Sequence, residues 1–185
     1  MPQNSAADSS RPPIPVTISL KMRMEVAVKL YGEAEVVTRA LSLIDGNNEG
    51  EDFLLFVGGE HAQGILDGAP VLYWPELWGM RSLLYVWNDT ATPAVVNALH
   101  NTAWRVREMA ARVIAERSLP ATMELIELLG DDTPRVRIAV ARALAAVGTL
   151  DNIEDIRPLT KDTEIEVRRG AQQSIDALRA RFPKK

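Results

Sequence analysis

The pattern WRVREMAARVI at residues 104–114 recurs as PRVRIAVARAL at residues 134–144 and as IEVRRGAQQSI at residues 165–175. Each copy has a Val-Arg pair, small residues after it, and an aliphatic residue eight places after the valine. The three valines, Val106, Val136 and Val167, are 30 and 31 residues apart. A period of this length is typical of solenoids built from stacked helix pairs. The sequence therefore predicts an all-α repeat array.

A second set of apolar positions repeats between these copies at a spacing of 30 residues. It comprises Pro93, Met123 and Ile153, then Val96, Ile126 and Ile156, then Leu99, Leu129 and Leu159. The spacing predicts a second helix in each unit, with one apolar stripe facing the core. A more divergent unit begins near Pro75, so we place repeats over residues 75–182. The predicted architecture is a right-handed α-α superhelix.

The N-terminal part of the chain lacks this period. Residues 1–13 are rich in Ser, Asn, Asp and Pro, and we expect a disordered leader there. In residues 14–74, the apolar spacing of residues 33–44 predicts a helix, whereas residues 53–57 are too uniformly apolar to separate strand from helix. Repeat arrays need an atypical unit at each end. We interpret residues 14–74 as an irregular helical cap, continuous with the array.

Residues 131–144 show the order of aspartate, proline, Val-Arg, small residue and aliphatic residue. In this order the chain resembles HEAT-like repeats of the short kind found in phycobilin lyases and in many bacterial proteins. The resemblance covers about residues 93–179 and implies a binding scaffold without shared chemistry. It also implies that the arginine after each valine joins a polar ladder between repeats. The ladder residues would be Arg107, Arg137 and Arg168, with Asp132 and Asp162 as their partners.

The composition argues against several kinds of site. The chain has no cysteine and two histidines, so it lacks the residues for disulfides, for cysteine-based metal sites and for the multi-histidine iron sites of HEAT-like hydroxylases. We therefore expect no metal and no cofactor. No apolar run approaches the roughly 18 residues of a spanning helix, and the first residues lack the layout of a secretory signal. We expect a cytoplasmic protein without membrane contact.

The candidate binding site lies on the second helix of each unit, because we expect these helices to line the concave face. Their solvent-facing positions are Asn97, Asn101, Glu124, Glu127, Asp131, Glu154, Arg157 and Lys161. Along the array this stripe changes from neutral to acidic to mixed charge. Three carboxylates at its centre repel nucleic acid and favour a basic or mixed-charge protein segment. The sequence thus favours a non-catalytic scaffold for a protein or peptide partner.

Two alternatives stay open beside the scaffold. HEAT-like alkylpurine DNA glycosylases use tryptophans, an aspartate and basic residues in a groove. Residues of these types are Trp74, Trp78, Trp87, Asp89, Trp104 and Arg105. A DNA groove needs positive charge to hold the phosphates, and the candidate stripe lacks it. The other alternative, a phycobilin-lyase-like protein, is supported by the shared repeat alone.

Overall fold

A computed structural model of the protein describes residues 13–183, and every regular element in this range is a helix. The predicted all-α fold class is confirmed. The predicted leader lies outside the described residues, apart from Pro13. The N-terminal part of the described chain has five α-helices. They are α1 (Leu20–Tyr31), α2 (Glu33–Ile44), α3 (Gly50–Gly58), α4 (Glu60–Leu66) and α5 (Trp74–Ser82).

Three helix pairs follow, and each pair joins a short helix to a long one. A 3₁₀ turn (Asp89–Ala91) precedes the first pair. The short helices are α6 (Thr92–Asn97), α8 (Thr122–Glu127) and α10 (Asn152–Ile156). Each short helix continues directly into a further 3₁₀ turn, and these turns are Ala98–His100, Leu128–Gly130 and Arg157–Lys161. The long helices are α7 (Trp104–Arg117), α9 (Pro134–Val147) and α11 (Ile165–Arg181). The Val-Arg patterns therefore lie on the long helices, as stacked helix pairs require.

Each long helix begins after an Asx-type turn. The side-chain oxygens of Asn101, Asp131 and Asp162 accept a hydrogen bond from the backbone N–H two residues later, at 2.8, 2.8 and 2.9 Å. Short polar side chains form such turns readily, and the turn sets the direction in which the helix starts. These three residues are 30 and 31 positions apart, the same spacing as the valines. They are thus the equivalent loop positions of the three repeats.

The core of the array lies between the two layers of helices. The valines of the three patterns, Val106, Val136 and Val167, are fully buried. The long helices α7, α9 and α11 pack directly against one another, and the short helices pack mainly on the long ones. Burying a side chain of this size contributes roughly 1.5–3 kcal/mol relative to exposure. The repeated aliphatic positions therefore hold the layers together.

The short helices differ from the predicted register. Val95 and Leu125 are the fully buried residues near the middle of α6 and α8, and Ile156 is fully buried at the end of α10, whereas Pro93 is exposed and Met123 is 68% exposed. The buried positions are 30 and 31 residues apart, because the third repeat is one residue longer: α10 and its 3₁₀ turn span residues 152–161, whereas α8 and its turn span residues 122–130. A uniform spacing of 30 therefore misassigns the buried face by one position in α6 and α8, whereas the predicted Ile153 and Ile156 of α10 are buried. A one-residue shift on a helix turns a side chain by about 100°.

In the structure we use the name cap for helices α1–α5. The cap joins the array through α5, which packs on both α2 and α7. Gly79 allows the close approach of α5 to α2, because a Cβ atom at this position would lie 2.6 Å from the Ala40 carbonyl oxygen. Trp78, the residue directly before Gly79, is 5% exposed and stacks on Trp74 with ring centroids 6.0 Å apart. Trp78 is therefore part of the buried core rather than of an open groove. The rings of Tyr73, Trp74 and Trp78 therefore pack together at the junction between the cap and the repeats.

Candidate functional site

Arginine and aspartate side chains link neighbouring repeats. Arg107 donates two hydrogen bonds to the Asp131 carboxylate, from Nε at 2.7 Å and from Nη2 at 3.0 Å. Arg137 forms the same pair of bonds with Asp162, at 2.8 and 2.9 Å. In both arginines the remaining nitrogen, Nη1, donates to backbone carbonyls of the loop before its own helix. Each guanidinium therefore joins its own loop to the loop of the next repeat.

In the second repeat, the carboxylate that pairs with an arginine of the ladder belongs to Asp131. The prediction that Asp132 has this role is wrong. Asp132 is exposed and contributes a backbone carbonyl, which accepts from Arg137 at 3.3 Å. The reason is again the one-residue insertion in the third repeat, since Asp131 and Asp162 are 31 residues apart. Arg168 donates only to the carbonyls of Asp162 and Thr163, at 2.7 and 3.0 Å, without a carboxylate partner among residues 13–183.

The ladder changes the ionisation of its aspartates. Burial disfavours the charged form of Asp131 and by itself would raise its pKa. The hydrogen bonds from Arg107 and from the Thr133 N–H, together with the positive charge of Arg107, outweigh this effect, so the pKa of Asp131 is lowered. The pKa of Asp162 is also lowered, first by the hydrogen bonds from Arg137 and then by its backbone partner and the positive charge. Both carboxylates are therefore more acidic in the folded chain than in the unfolded chain.

We expect the ladder to stabilise the fold at neutral pH and to lose this contribution in acid. A carboxyl whose folded pKa is depressed adds stability above its unfolded pKa, about 3.9 for aspartate, and loses it as the pH falls through the folded pKa. Urea denaturation from pH 7 to pH 2.5 should show a decline that begins near pH 5. The double variant Asp131→Asn/Asp162→Asn should have a flatter profile over the same range. Parallel profiles for both proteins would contradict this linkage.

The short helices of the second and third repeats enclose an open groove of about 830 Å³. We call it the short-helix groove. Its apolar floor includes Ile126, Leu129 and Leu159, and the acidic residues of its lining are Asp131, Asp132, Glu154, Asp155, Asp162 and Glu164. Arg107 and Arg137 neutralise the two ladder carboxylates. Asp132 and Glu164 are exposed and have no cationic partner within the described chain. The rim of the groove therefore carries negative charge above an apolar surface.

The predicted binding residues have different positions in the structure. Asn97, Glu127, Glu154, Arg157 and Lys161 are exposed on the short helices or their 3₁₀ turns, and Glu124 is half-buried beside them. Arg157 donates to Glu154 at 2.6 and 2.9 Å, so these two form a pair.

Two of the predicted residues have structural contacts instead. The Asn101 side chain accepts from the Ala103 N–H, and the Asp131 carboxylate is 4% exposed and bound to Arg107. The Asp131 carboxylate is therefore not available to a partner, and the Asn101 Oδ1 is already used within its own loop. Asp155 and Glu164, which the sequence reasoning missed, line the groove. These two residues are 31 positions after Glu124 and Thr133, so an alignment of the second and third repeats with a spacing of 31 instead of 30 pairs them with those residues.

The long helices contact one another directly, whereas the groove separates the short helices of the second and third repeats. The assignment of the concave face to the second helices stays a prediction.

The long helices present a second surface with more arginine. Arg112 and Arg142 are exposed, occupy equivalent positions of α7 and α9, and have no carboxylate within 4.0 Å among residues 13–183. They line a groove of about 690 Å³ together with Glu108 and Glu116. This surface therefore has mixed charge, without a continuous positive track.

Residues 88–176, from the turn before α6 to near the end of α11, match a family model described as HEAT repeats. Residues 88–176 are HEAT repeats. This match confirms the HEAT-like repeat that the Val-Arg patterns indicate, and the phycobilin-lyase type stays a prediction. HEAT repeats commonly mediate interactions between proteins. No curated protein matches the chain.

Within the described chain, no group of three or more histidine, cysteine, aspartate or glutamate side chains is placed to hold a metal ion. No helix among residues 13–183 has the length and apolar character needed to cross a membrane.

Proposed function

We propose that the HEAT repeats form a non-catalytic scaffold that binds a basic segment of a partner protein in the short-helix groove. The observation that supports this most directly is the lining of the groove, where unpaired carboxylates surround an apolar floor. Apolar side chains of a partner would pack on Ile126 and Pro158, the more exposed apolar residues of the lining, while lysine or arginine side chains would meet Asp132 and Glu164. Complementary charge of this kind guides association and sets the orientation of the partner.

The second repeat extends this surface. Glu124 and Glu127 on α8 have no basic partner among residues 13–183, and Met123, 68% exposed, lies beside them. An exposed methionine adapts to varied apolar partners because its side chain is flexible and polarisable. Asn97, Arg157 and Lys161 would border the site. Since the chain has no cysteine, the scaffold is compatible with a reducing cytoplasm, where we propose that it acts.

DNA binding through Trp104 and Arg105 is less favoured than protein binding. Arg105 donates to the Tyr73 hydroxyl at 2.6 Å, and its guanidinium lies 4.3 Å from the Trp104 ring centroid. Arg135 approaches the same ring at 5.6 Å. The hydrogen bond to Tyr73 joins the cap to the repeats, and both guanidinium groups already lie beside the Trp104 ring, so a base would have to displace them in order to stack there. No feature of residues 13–183 favours the phycobilin-lyase-like alternative.

Reversing the charge of the groove should release the partner. We expect the variant Asp132→Lys/Glu164→Lys to weaken partner binding about tenfold or more, since each surface charge contributes roughly 0.2–1 kcal/mol and reversal adds repulsion. Proteins captured from extract by the wild type would be identified by mass spectrometry. Their basic segments would then be titrated as labelled peptides by fluorescence polarisation.

A matched control separates the groove from general charge effects. The variant Glu25→Lys/Glu116→Lys makes the same charge change at two exposed carboxylates outside the groove. This variant should retain the affinity of the wild type. If the groove variant retains every partner, or if both variants lose binding equally, the short-helix groove is not the binding site.

A further inference from the structure

The long helices form a groove of their own, which is separate from the short-helix groove. Its first part, of about 690 Å³, lies between α7, α9 and the segment that follows α5. Its second part, of about 400 Å³, lies between α9 and α11. Arg142 lines both parts, so they meet at this side chain and form one surface across the three long helices. We call this surface the long-helix groove.

The arginines of this groove outnumber its carboxylates. Its charged residues are Arg112, Arg135, Arg142, Arg181, Glu108 and Glu116. Arg135 pairs with Glu108 at 3.3 Å. Three guanidinium groups then remain, against the single carboxylate of Glu116. The long-helix groove therefore keeps a positive surplus after its internal ion pair is formed.

Two of the three remaining arginines are available to a partner. Arg181 donates from Nη1 to the carbonyls of Ala145 and Gly148, at 2.6 and 3.2 Å, which fixes its position but does not neutralise its charge. Arg112 and Arg142 are exposed and make no hydrogen bond or ion pair among residues 13–183. They are 30 residues apart, at equivalent positions of neighbouring helices. The groove thus presents two unpaired guanidinium groups one repeat apart.

Apolar side chains lie between the charges. The first part of the groove contains Tyr85, which is 44% exposed, and the half-buried Ile138. The second part contains Ala146 and Ala177 and is lined by no carboxylate. Tyrosine and arginine are the residue types that most often dominate binding between proteins. A ligand in this groove therefore meets separated positive charges with apolar surface between them.

This pattern favours an acidic protein segment over nucleic acid. Duplex DNA has a charge about every 1.7 Å of its axis, and its affinity comes mainly from many phosphate contacts. In the long-helix groove, Glu108 and Glu116 interrupt the arginines and would repel a phosphate backbone. An acidic protein segment instead places carboxylates at intervals, with apolar side chains between them, and so matches both the charges and the apolar surface.

We propose that the long-helix groove binds an acidic amphipathic helix of a partner protein, with two of its carboxylates on Arg112 and Arg142. Packed helices lie about 8–10 Å apart, so equivalent positions of α7 and α9 are separated by roughly this distance. Since an α-helix rises about 1.5 Å per residue, carboxylates about seven residues apart on one face match that separation. Apolar side chains on the same face pack on Tyr85 and Ile138.

Fluorescence polarisation of labelled model peptides tests this site on the full chain. The first probe is a helical peptide with one glutamate and one leucine in about every seven residues. Two matched peptides have glutamine or lysine in place of glutamate. The glutamate peptide should bind about tenfold more tightly than the glutamine peptide, because it forms two ion pairs that the amide cannot form. The lysine peptide should bind no more tightly to the wild type than to variants of Arg112 and Arg142.

Three variants locate the site. Arg112→Glu/Arg142→Glu should weaken binding of the glutamate peptide about tenfold or more, and high salt should remove most of this difference. Both side chains lack partners, so the helical circular dichroism signal should not change. Tyr85→Ala should weaken binding about threefold or more at low and high salt alike, because its contact is apolar. Lys21→Glu/Lys29→Glu, the same charge change at exposed positions of α1, should bind as the wild type does.

Three results would overturn the proposal. The first is the absence of binding of the glutamate peptide to the wild type at low salt and millimolar concentration. The second is equal binding of this peptide by the wild type and by Arg112→Glu/Arg142→Glu. The third is tighter binding of a duplex DNA oligonucleotide that depends on the same two arginines, which would assign the groove to nucleic acid.

The test is independent of the short-helix groove. Arg112, Arg142 and Tyr85 do not line that groove, and Asp132 and Glu164 do not line the long-helix groove. The variant Asp132→Lys/Glu164→Lys should therefore retain binding of the glutamate peptide. Failure at one groove leaves the prediction for the other unchanged.

Discussion

Replacing Arg137 by methionine is expected to lower the free energy of unfolding by about 3 kcal/mol or more. Methionine keeps much of the apolar stem but removes both hydrogen bonds to the Asp162 carboxylate, whose side chain is 8% exposed. The carboxylate is then left largely buried without its counter-charge, which is the costly part of the change. Chemical denaturation followed by far-UV circular dichroism measures the loss.

The equivalent arginine of the third repeat is the matched control. Arg168 makes the same contacts from Nη1 to two loop carbonyls as Arg137 does, but no bond to a carboxylate. Arg168→Met should therefore cost about 1 kcal/mol, the net contribution of ordinary hydrogen bonds. Equal losses in the two variants would show that the carbonyl contacts, and not the ion pair, stabilise the stack.

Replacing Gly79 by alanine is expected to destabilise the cap by about 3 kcal/mol, the upper part of the range for overpacked positions. The added Cβ would lie 2.6 Å from the Ala40 carbonyl oxygen and 3.0 Å from the Leu43 Cβ. Ala40 is a fully buried residue of α2, so its backbone cannot move without separating α2 from α5. Thermal and urea unfolding should both shift to milder conditions.

Gly64 offers the opposite case in the same cap. It lies within α4, and a Cβ there would have no atom within 4 Å. Gly64→Ala should therefore raise stability by about 0.5–1 kcal/mol, because alanine loses less backbone entropy in a helix than glycine does. A destabilising effect at Gly64, or none at Gly79, would contradict the close approach of α5 and α2.

Much of the fold could be predicted because its apolar pattern is periodic. The valines of the three long helices are buried as their spacing predicts, and the helix at residues 33–44 begins and ends where the pattern does. The helical state of residues 53–57 could not be predicted, since a short, uniformly apolar segment has no period. In the structure these residues belong to α3.

The candidate site was harder to predict because it depends on single-residue register. A spacing of 30 aligns Asp132 with Asp162, and the structure aligns Asp131 with Asp162 instead. The extra residue in the short helix and 3₁₀ turn of the third repeat also changes which carboxylates, such as Asp155 and Glu164, line the short-helix groove. Sequence spacing alone does not show where in a repeat an insertion is absorbed.

The sequence by itself determined the repeat, the helical class and most of the buried aliphatic positions. These features follow from the spacing of apolar residues along the chain, at three and four residues within a helix and at about 30 residues between repeats. Tertiary structure decided which carboxylates are neutralised and which remain free. Asp131 and Asp132 are neighbours of identical chemistry, yet the first binds Arg107 across the repeat boundary and the second lies at the rim of the short-helix groove. Their difference arises from the direction of each side chain relative to the next helix pair, which is set only when the repeats stack.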